Sequence, residues 1–399
     1  MQRHLLIDGL AGAAMGDDWT LAPEVTMALP ESSWAAFEPA PLPCAAPVII
    51  SFLAALSARL QQVGRDWPDL AAFGFWLRQR NQAPQAARMA GRAPLGVVFH
   101  LVPSNVPTVA FYSWLMALLA GNASVVRLSS RQDPEQEAML RILAELFADP
   151  GWQAIAQRTR FIRYGHDETI TGWLSARCAL RIIWGGDETI RAVRAIPLAP
   201  HAQEVVFPDR RSLALIDSRW LSGLDEHGWQ RALQGLRLDC TRFNQLACAS
   251  PTTLVWLGSP PPAVRQRLLE ETFAPFAGDP RLAMERLVQC QMNVAGGGTD
   301  ALTRLAGVTV LTQPTPSALQ HIGGGTVAEW VADNWEAVQT QPWSMQTSVY
   351  LGESLSTARE RLTAARGRID RVVAPGQALA FDWFWDGIEL PMACSRMVR

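Results

Sequence analysis

From Pro94 onward, short apolar runs rich in β-branched residues alternate with segments long enough for a helix. The runs are GVVFHLV, SVVRL, RFIRY, LRIIWGG, EVVFP and SLALID. A strand covered on both faces reads as a continuous apolar run, and parallel neighbours need a long crossover between them. The pattern therefore predicts an α/β fold built on a parallel, doubly wound sheet. Between the runs, an apolar helix over 106–120 is stopped by Gly121-Asn122, and an amphipathic helix spans Pro134 to Phe147. Upstream, a Pro-rich stretch from Leu29 to Pro47 precedes helices around Ile49–Val63 and Leu70–Gln82. A second region opens near Ser212, with a helix from Glu226 to Leu236, the strand TTLVWLG and a helix from Pro262 to Phe273. The tail from Arg368 carries RVVAPG and FDWFWDGIEL.

Composition removes several function classes. The chain has no lysine; all 35 of its Lys-plus-Arg residues are arginine, so Schiff-base chemistry and a P-loop lysine are excluded. A net charge of −2 announces neither nucleic acid nor an anionic membrane. None of the 6 cysteines forms a C-x-x-C pair, so no zinc or dithiol motif is expected and no metal is assigned. The opening MQRHLLIDGLAGAAMGDDW carries Asp8 within its apolar part, against a cleaved signal, and free thiols point to a reducing, cytoplasmic compartment. The run from Val97 to Leu119 contains His100, Ser104, Asn105, Pro103 and Pro107, which reads as strand, turn and helix instead of a membrane span. The Gly296–Gly298 and Gly323–Gly325 runs read as loops.

Four stretches could carry chemistry. Cys248 in NQLACASPTT has small neighbours that let a carbonyl approach the sulfur, and a turn there offers N–H dipoles to a thiolate; a buried, inert cysteine is the plainer alternative. In PSNVP, two prolines bracket Ser104 and Asn105 at a strand end, where the Asn105 amide could donate to an oxyanion or simply to its own turn. After SVVRL, Arg127 with Ser129, Ser130 and Arg131 offers donors suited to a phosphate or ribose, or forms a solvated strand end. Trp184-Gly185-Gly186-Asp187 follows LRII and allows backbone approach at a helix start, a candidate anion site.

In this order, the four stretches resemble motifs of the aldehyde dehydrogenase superfamily, most of all the LuxC-type acyl-CoA or acyl-protein thioester reductases. PSNVP is similar to the superfamily's Pro-aromatic-Asn motif and NASVVRLSSRQDP to its Asn-Val-Lys-Pro strand. IIWGGDETI is similar to its Phe-Thr-Gly-Ser turn and NQLACASP to the nucleophile segment of the reductases; WDGIEL resembles their ending. The resemblance implies an aldehyde-dehydrogenase-like fold, with a Rossmann-type dinucleotide domain over 1–205 and a catalytic domain over 206–367. It implies a C-terminal return segment over 368–399, offered as an oligomerisation strand of a homo-oligomer. It implies Cys248 as nucleophile and Asn105 as oxyanion donor, with Leu101, Ser104, Arg127, Ser130, Gly165, Trp184, Gly185 and Gly186 binding the cofactor.

Two departures refine it. The superfamily's general-base glutamate falls at Phe207, with Glu204 nearby but out of register. That base activates water against an acyl-enzyme, so its loss fits acyl reduction and argues against aldehyde oxidation. Arg127 replaces the lysine and favours NADPH over NADH; His201 is a candidate for assisting proton transfer. The implied activity is reduction of an acyl thioester, from acyl-CoA or an acyl-protein, to an aldehyde through an acyl-Cys248 enzyme, beside an acyl-activating partner protein. The alternatives are an aldehyde dehydrogenase forming acid, a non-reducing acyl-transfer subunit, and a structural subunit without chemistry.

Overall fold

The computed structural model describes residues 19, 22–30, 32–64, 66–103, 106–296, 299, 301–313 and 323–398. The chain forms two compact units, Met1–Pro208 with Ile388–Arg399, and Asp209–Gly387.

The first unit is built on strands β1 (Thr26–Met27), β3 (Val97–Leu101), β4 (Ala123–Leu128), β5 (Thr159–Arg163), β6 (Leu180–Trp184) and β7 (Gln203–Phe207), with β2 (Arg92–Pro94) apart from them. The sheet order is β1-β5-β4-β3-β6-β7. All pairs are parallel except β1 with β5. The chain winds outward from β3 through β4 and β5, then crosses to β6 and β7, so the winding reverses between β3 and β6. Open α/β sheets bind ligands at the carboxyl ends of strands flanking such a reversal. The run from Val97 to Leu119 is a strand and an 11-residue helix, Val109–Leu119, that is buried along its whole length. Among the described residues no helix is long and apolar enough to cross a membrane.

Trp114 and Phe111 on this helix each meet Phe161 of β5 with ring centroids 5.4 Å apart. Each such buried aromatic contributes on the order of 2–3 kcal/mol. The helix stops at Gly121 (φ +85), where a Cβ would lie 2.1 Å from the Leu42 carbonyl oxygen. Asn122 then accepts from the N–H groups of Leu95 (2.8 Å) and Gly96 (3.0 Å) and donates to the carbonyls of Ala117 and Cys394. Helix Pro134–Phe147 begins with Pro134 in its first turn and Asp133 as cap, accepting from the N–H groups of Glu135 and Gln136. The helix expected over 70–82 is instead two, Pro68–Trp76 and Gln79–Arg88.

The second unit carries β8 (Arg211–Asp217), β9 (Pro251–Leu257), β10 (Ala301–Arg304), β11 (Thr309–Thr312), β12 (Thr326–Ala332), β13 (Ser344–Leu351) and β14 (Arg368–Val373). Their order is β10-β11-β12-β9-β8-β13-β14. Only β10 and β11 pair antiparallel. Helices Glu226–Thr241 and Pro262–Phe273 pack Leu233, Leu236, Leu269 and Phe273 against Ile216, Leu254 and Trp256. The span 368–399, expected as one return segment, is divided. β14 is an edge strand of the second sheet, whereas Ser395–Met397 pairs antiparallel with β2 of the first unit. There Arg92 donates to the Ser395 hydroxyl (2.7 Å) and to the carbonyls of Met392 and Ser395.

Candidate functional site

The site residues expected from the sequence fall into two sets, one in each unit. In the first, the expected cofactor residues Leu101, Arg127, Ser130, Gly165, Trp184, Gly185 and Gly186 all fall at or just past the carboxyl ends of β3, β4, β5 and β6. Leu101 pairs in register with both Arg127 and Ile183. Ser104 and Asn105 lie outside the described residues.

Arg127 donates through Nη2 to the carbonyls of Tyr164 (3.2 Å) and Gly165 (3.4 Å), and its guanidinium lies 5.3 Å from the Tyr164 ring centroid. Its Nε is buried and has no hydrogen-bond partner among the described residues. A Cβ placed on Gly165 or Gly186 would meet nothing within 4 Å, and neither glycine has positive φ. Glycine at these positions serves space and not backbone conformation, as a ligand-lined edge requires. These features fit a dinucleotide.

Charge and side-chain packing limit what this edge accepts. Gly186 caps helix Asp187–Arg194, but the first turn already holds Asp187 and Glu188, so a phosphate there would meet two carboxylates. The Trp184 side chain turns inward: it stacks on Phe207 at 3.9 Å between ring centroids and donates to the Ser113 hydroxyl (3.0 Å). Ser130 is exposed.

Position 207 offers no base, because Phe207 is buried in that stack. Glu204 is committed elsewhere, with Arg181 at 2.5 Å and Arg194 at 2.7 Å. Burial pushes its carboxyl up, but hydrogen bonds from Arg194 and Arg181 outweigh this and hold it below the usual carboxylate range. His201 is exposed in the loop ahead of β7. His100 is fully buried between the hydroxyls of Ser113 (2.8 Å) and Ser124 (3.4 Å); burial lowers it to about 3, so it is a neutral core residue.

In the second unit Cys248 is half-buried at the amino edge of the sheet, three residues before β9. The turn leading to it is unusual. Phe243, Asn244 and Gln245 have φ of 52°, 53° and 65°, a left-handed run that non-glycine residues rarely adopt. Its partners hold it there. Gln245, buried, donates to the Pro251 carbonyl (2.8 Å) and accepts from the Gly325 N–H (3.0 Å), while the Gly324 N–H reaches the Asn244 carbonyl (2.9 Å). Ser212 donates to the Cys248 carbonyl (2.7 Å) and accepts from the Thr347 N–H (3.1 Å). Both strand irregularities around β8, at Ser212/Leu213 and opposite Met345/Ser348, flank this serine.

Burial first, then the Asp209 and Asp386 carboxylates, push the Cys248 thiol up to about 11; the backbone N–H groups of Arg210 and of Cys248 itself pull the other way. The sulfur is thus a protonated thiol at neutral pH. Sequence reasoning missed Ser212, Gln245, Arg210, Asp370 and Asp386. The one available signal was that PDRRS and the tail's DWFWDG place charges at loop ends, which alone does not distinguish a site from a solvated surface.

A family model described as acyl-CoA reductase (LuxC) matches residues 76–263, just under half of the chain. The chain is 27% identical over 215 residues to a long-chain acyl-protein thioester reductase of Aliivibrio fischeri, covering 53% of this chain and 41% of that protein. It is 22% identical over 271 residues to the protein of the same description from Vibrio harveyi, covering 66% and 49%. It thus spans less than half the length of these relatives. Among solved structures it is similar to a 1-pyrroline-5-carboxylate dehydrogenase variant from Thermus thermophilus, with TM-score 0.61, 14% identity and coverage of 82% and 73%. It is also similar to an NAD-dependent benzaldehyde dehydrogenase from Corynebacterium glutamicum, with TM-score 0.58, 14% identity and coverage of 84% and 82%. The fold is that of the aldehyde dehydrogenases, and the resemblance to the LuxC reductases is borne out.

Proposed function

We propose that this chain is an NADPH-dependent acyl thioester reductase in which Cys248 carries the acyl group. The observation that carries the reading is the Cys248 turn: a half-buried thiol on a backbone pinned from both sides. The similarity to long-chain acyl-protein thioester reductases supports the substrate class. Phe207 supports reduction over oxidation to acid, since an aromatic ring cannot activate water.

Cys248 gives up its proton as its sulfur attacks the thioester carbonyl, and the carrier thiol leaves with a proton. Exchange of one thioester for another is nearly isoenergetic, so no further energy source is required. The acyl group then remains on sulfur, where it accepts hydride more readily than an oxygen ester would. Backbone N–H groups of the Cys248 turn would stabilise the developing negative charge, with Asn105 as the side-chain donor that the family resemblance implies; one such donor contributes on the order of 3 kcal/mol. When bound, the nicotinamide supplies hydride to the acyl carbonyl. Arg127 would hold the 2′-phosphate, with Gly165 and Gly186 giving the dinucleotide room. Leu101, Ser104, Ser130, Gly185 and the Trp184 backbone would line the rest. Loss of aldehyde frees the sulfur.

The donor is acyl-CoA or an acyl-protein presented by an acyl-activating partner, and the enzyme works as a homo-oligomer in a reducing, cytoplasmic compartment. The test is NADPH consumption with acyl-CoAs of graded length, with the product identified. Aldehyde formed in step with NADPH loss is expected; free acid, or turnover without NADPH, would point to a hydrolase or an acyl-transfer subunit.

A further inference from the structure

The Gly323–Gly325 run, which reads as a loop in the sequence, is tied down along its backbone. The Thr326 N–H donates to the Gly323 carbonyl (3.0 Å) and the Thr309 N–H to the Gly325 carbonyl (2.8 Å). The Gly324 N–H donates to the Asn244 carbonyl (2.9 Å) and the Gly325 N–H to Gln245 Oε1 (3.0 Å). The Gly324 carbonyl accepts from Nη1 of Arg286 (2.9 Å), on helix Pro280–Ala295. The N–H groups that a phosphate would need are therefore already taken, by the turn that leads to Cys248.

The Gly324 carbonyl and the Gly325 N–H are the two ends of one planar peptide group and point in opposite directions. A guanidinium grips one end and a side-chain amide the other, both buried: Arg286 is 6% and Gln245 1% exposed. The two glycines have φ of +59° and +91°. Glycine takes up such conformations and their alternatives at little cost, so the backbone alone does not fix which way this peptide faces. A Cβ on Gly325 would lie 2.3 Å from the Gly307 carbonyl oxygen, so a bulkier residue could not fix it instead. Were the peptide to turn over, its carbonyl would face Gln245 Oε1, acceptor against acceptor. Arg286 opposes this by holding the carbonyl, and by polarising the peptide it strengthens the N–H at the far end. Nη2 of Arg286, 3.4 Å from the Ala306 carbonyl, steadies the guanidinium.

Gln245 passes the constraint on. With Oε1 taken by Gly325, its Nε2 is turned to the Pro251 carbonyl (2.8 Å). That bond closes the segment 246–250, of which Cys248 is the centre, and inside it the Ser250 N–H donates to the Ala247 carbonyl (2.9 Å). From Arg286 to Pro251 donors and acceptors thus run head to tail through two amides, all within the second unit.

We propose that Arg286 is a positioning residue: by holding the Gly324 carbonyl it keeps the Gly325 N–H on Gln245, and so keeps the segment carrying Cys248 in the geometry in which the thiol takes an acyl group. This rests on Cys248 being the nucleophile of the proposed reaction.

The test is a double-mutant cycle in the full chain, Arg286→Met, Gln245→Leu and the two together. It is read as the rate of acyl-adduct formation on Cys248 at graded acyl-CoA concentrations, below the melt of every variant as set by circular dichroism. Each single variant should slow the limiting rate roughly tenfold, the scale of one hydrogen bond to a charged group, with the half-saturating concentration unchanged. The double variant should be no slower than the slower single one, because both changes cut the same chain. A wild-type rate in Arg286→Met, or a double variant slowed by the product of the single effects, about a hundredfold, overturns the proposal. Should Arg286→Met not fold, Arg286→Lys takes its place, with one ammonium for two carbonyls. A slowing of about threefold that disappears in the Gln245→Leu background is then expected, and a wild-type rate overturns the assignment. Should the wild type form no adduct on Cys248, the nucleophile assignment falls by itself. Alkylation of Cys248 by iodoacetamide, which needs no acyl donor, then carries the same cycle: coupled effects support the role of Arg286, and independent or absent effects overturn it.

Discussion

The two sheets bury polar groups in different ways. In the first, His100 sits between two hydroxyls, Arg181 is paired with Glu204, and Arg160 donates to the carbonyls of Ser33, Ala156 and Thr159. In the second, the Gln346 Oε1, Thr347 Oγ1, Ser348 Oγ, Ser250 Oγ and Asp386 Oδ2 atoms are buried with no hydrogen-bond partner among the described residues. An unsatisfied buried polar group costs roughly 1–3 kcal/mol. In the second sheet part of this cost lies at the amino ends of β9 and β13, at Ser250, Gln346, Thr347 and Ser348, and part at Gln313, past the carboxyl end of β11. In the first, Arg127 Nε and Arg163 Nε lack a partner among the described residues at the carboxyl ends of β4 and β5, the edge at which open α/β sheets take ligands. The proposed function would place the dinucleotide at the strand ends of the first sheet and the thiol at the strand beginnings of the second.

The sharpest way to separate these roles is Cys248→Ala. It should abolish acyl labelling and aldehyde formation outright, with NADPH binding by fluorescence unchanged. Labelling that persists would move the nucleophile to another cysteine. Next in size is a core test in the second sheet. Buried Glu329 accepts from Arg265 (2.7 Å) and from Trp256 Nε1 (2.8 Å). Glu329→Leu alone should cost about 3 kcal/mol, whereas adding Arg265→Met should recover most of it, because a whole pair is cheaper to replace than half of one. Denaturant melts of the two variants and the wild type settle the comparison, and equal loss in both would mean the pair is not what is being measured.

At the first sheet's edge, Arg127→Ala should weaken NADPH binding by roughly 10- to 100-fold, the scale of a charged hydrogen bond, with a much smaller change for NADH. Equal weakening of both would remove the 2′-phosphate assignment. The thiol gives an effect of about tenfold per pH unit. With burial and two carboxylates raising Cys248 to about 11, the thiolate fraction grows as pH rises, so alkylation should climb steadily from neutral pH and level off only near that value. A plateau by pH 8 would show a thiol far more acidic than its surroundings imply. The smallest effect belongs to Gly186→Ala, which meets open space and should change stability by no more than about 0.5 kcal/mol while weakening NADPH several-fold.

The first sheet was legible in the sequence because its strands are short apolar runs bounded by turn residues. Gly121 stopped the helix where expected, and for a concrete reason, the carbonyl of Leu42. The second sheet was legible only through β8 and β9. The strands TVAEWVA and SMQTSVYL carry Glu329, Gln346, Thr347 and Ser348 inside the protein, so neither reads as apolar or as alternating. Of the candidate site, Cys248 and the glycine-marked strand ends were visible as local motifs. The ion pairs of Arg210 with Asp370 and Asp386 were not, since they join positions 210, 370 and 386 through tertiary structure alone.

Intact-mass measurement of the protein mixed with an acyl-CoA, first without and then with NADPH, bears on the whole scheme at once. The expected record is one acyl adduct located on Cys248, stable until NADPH is added and then lost as aldehyde. No adduct, or an adduct that leaves as free acid without NADPH, would contradict it.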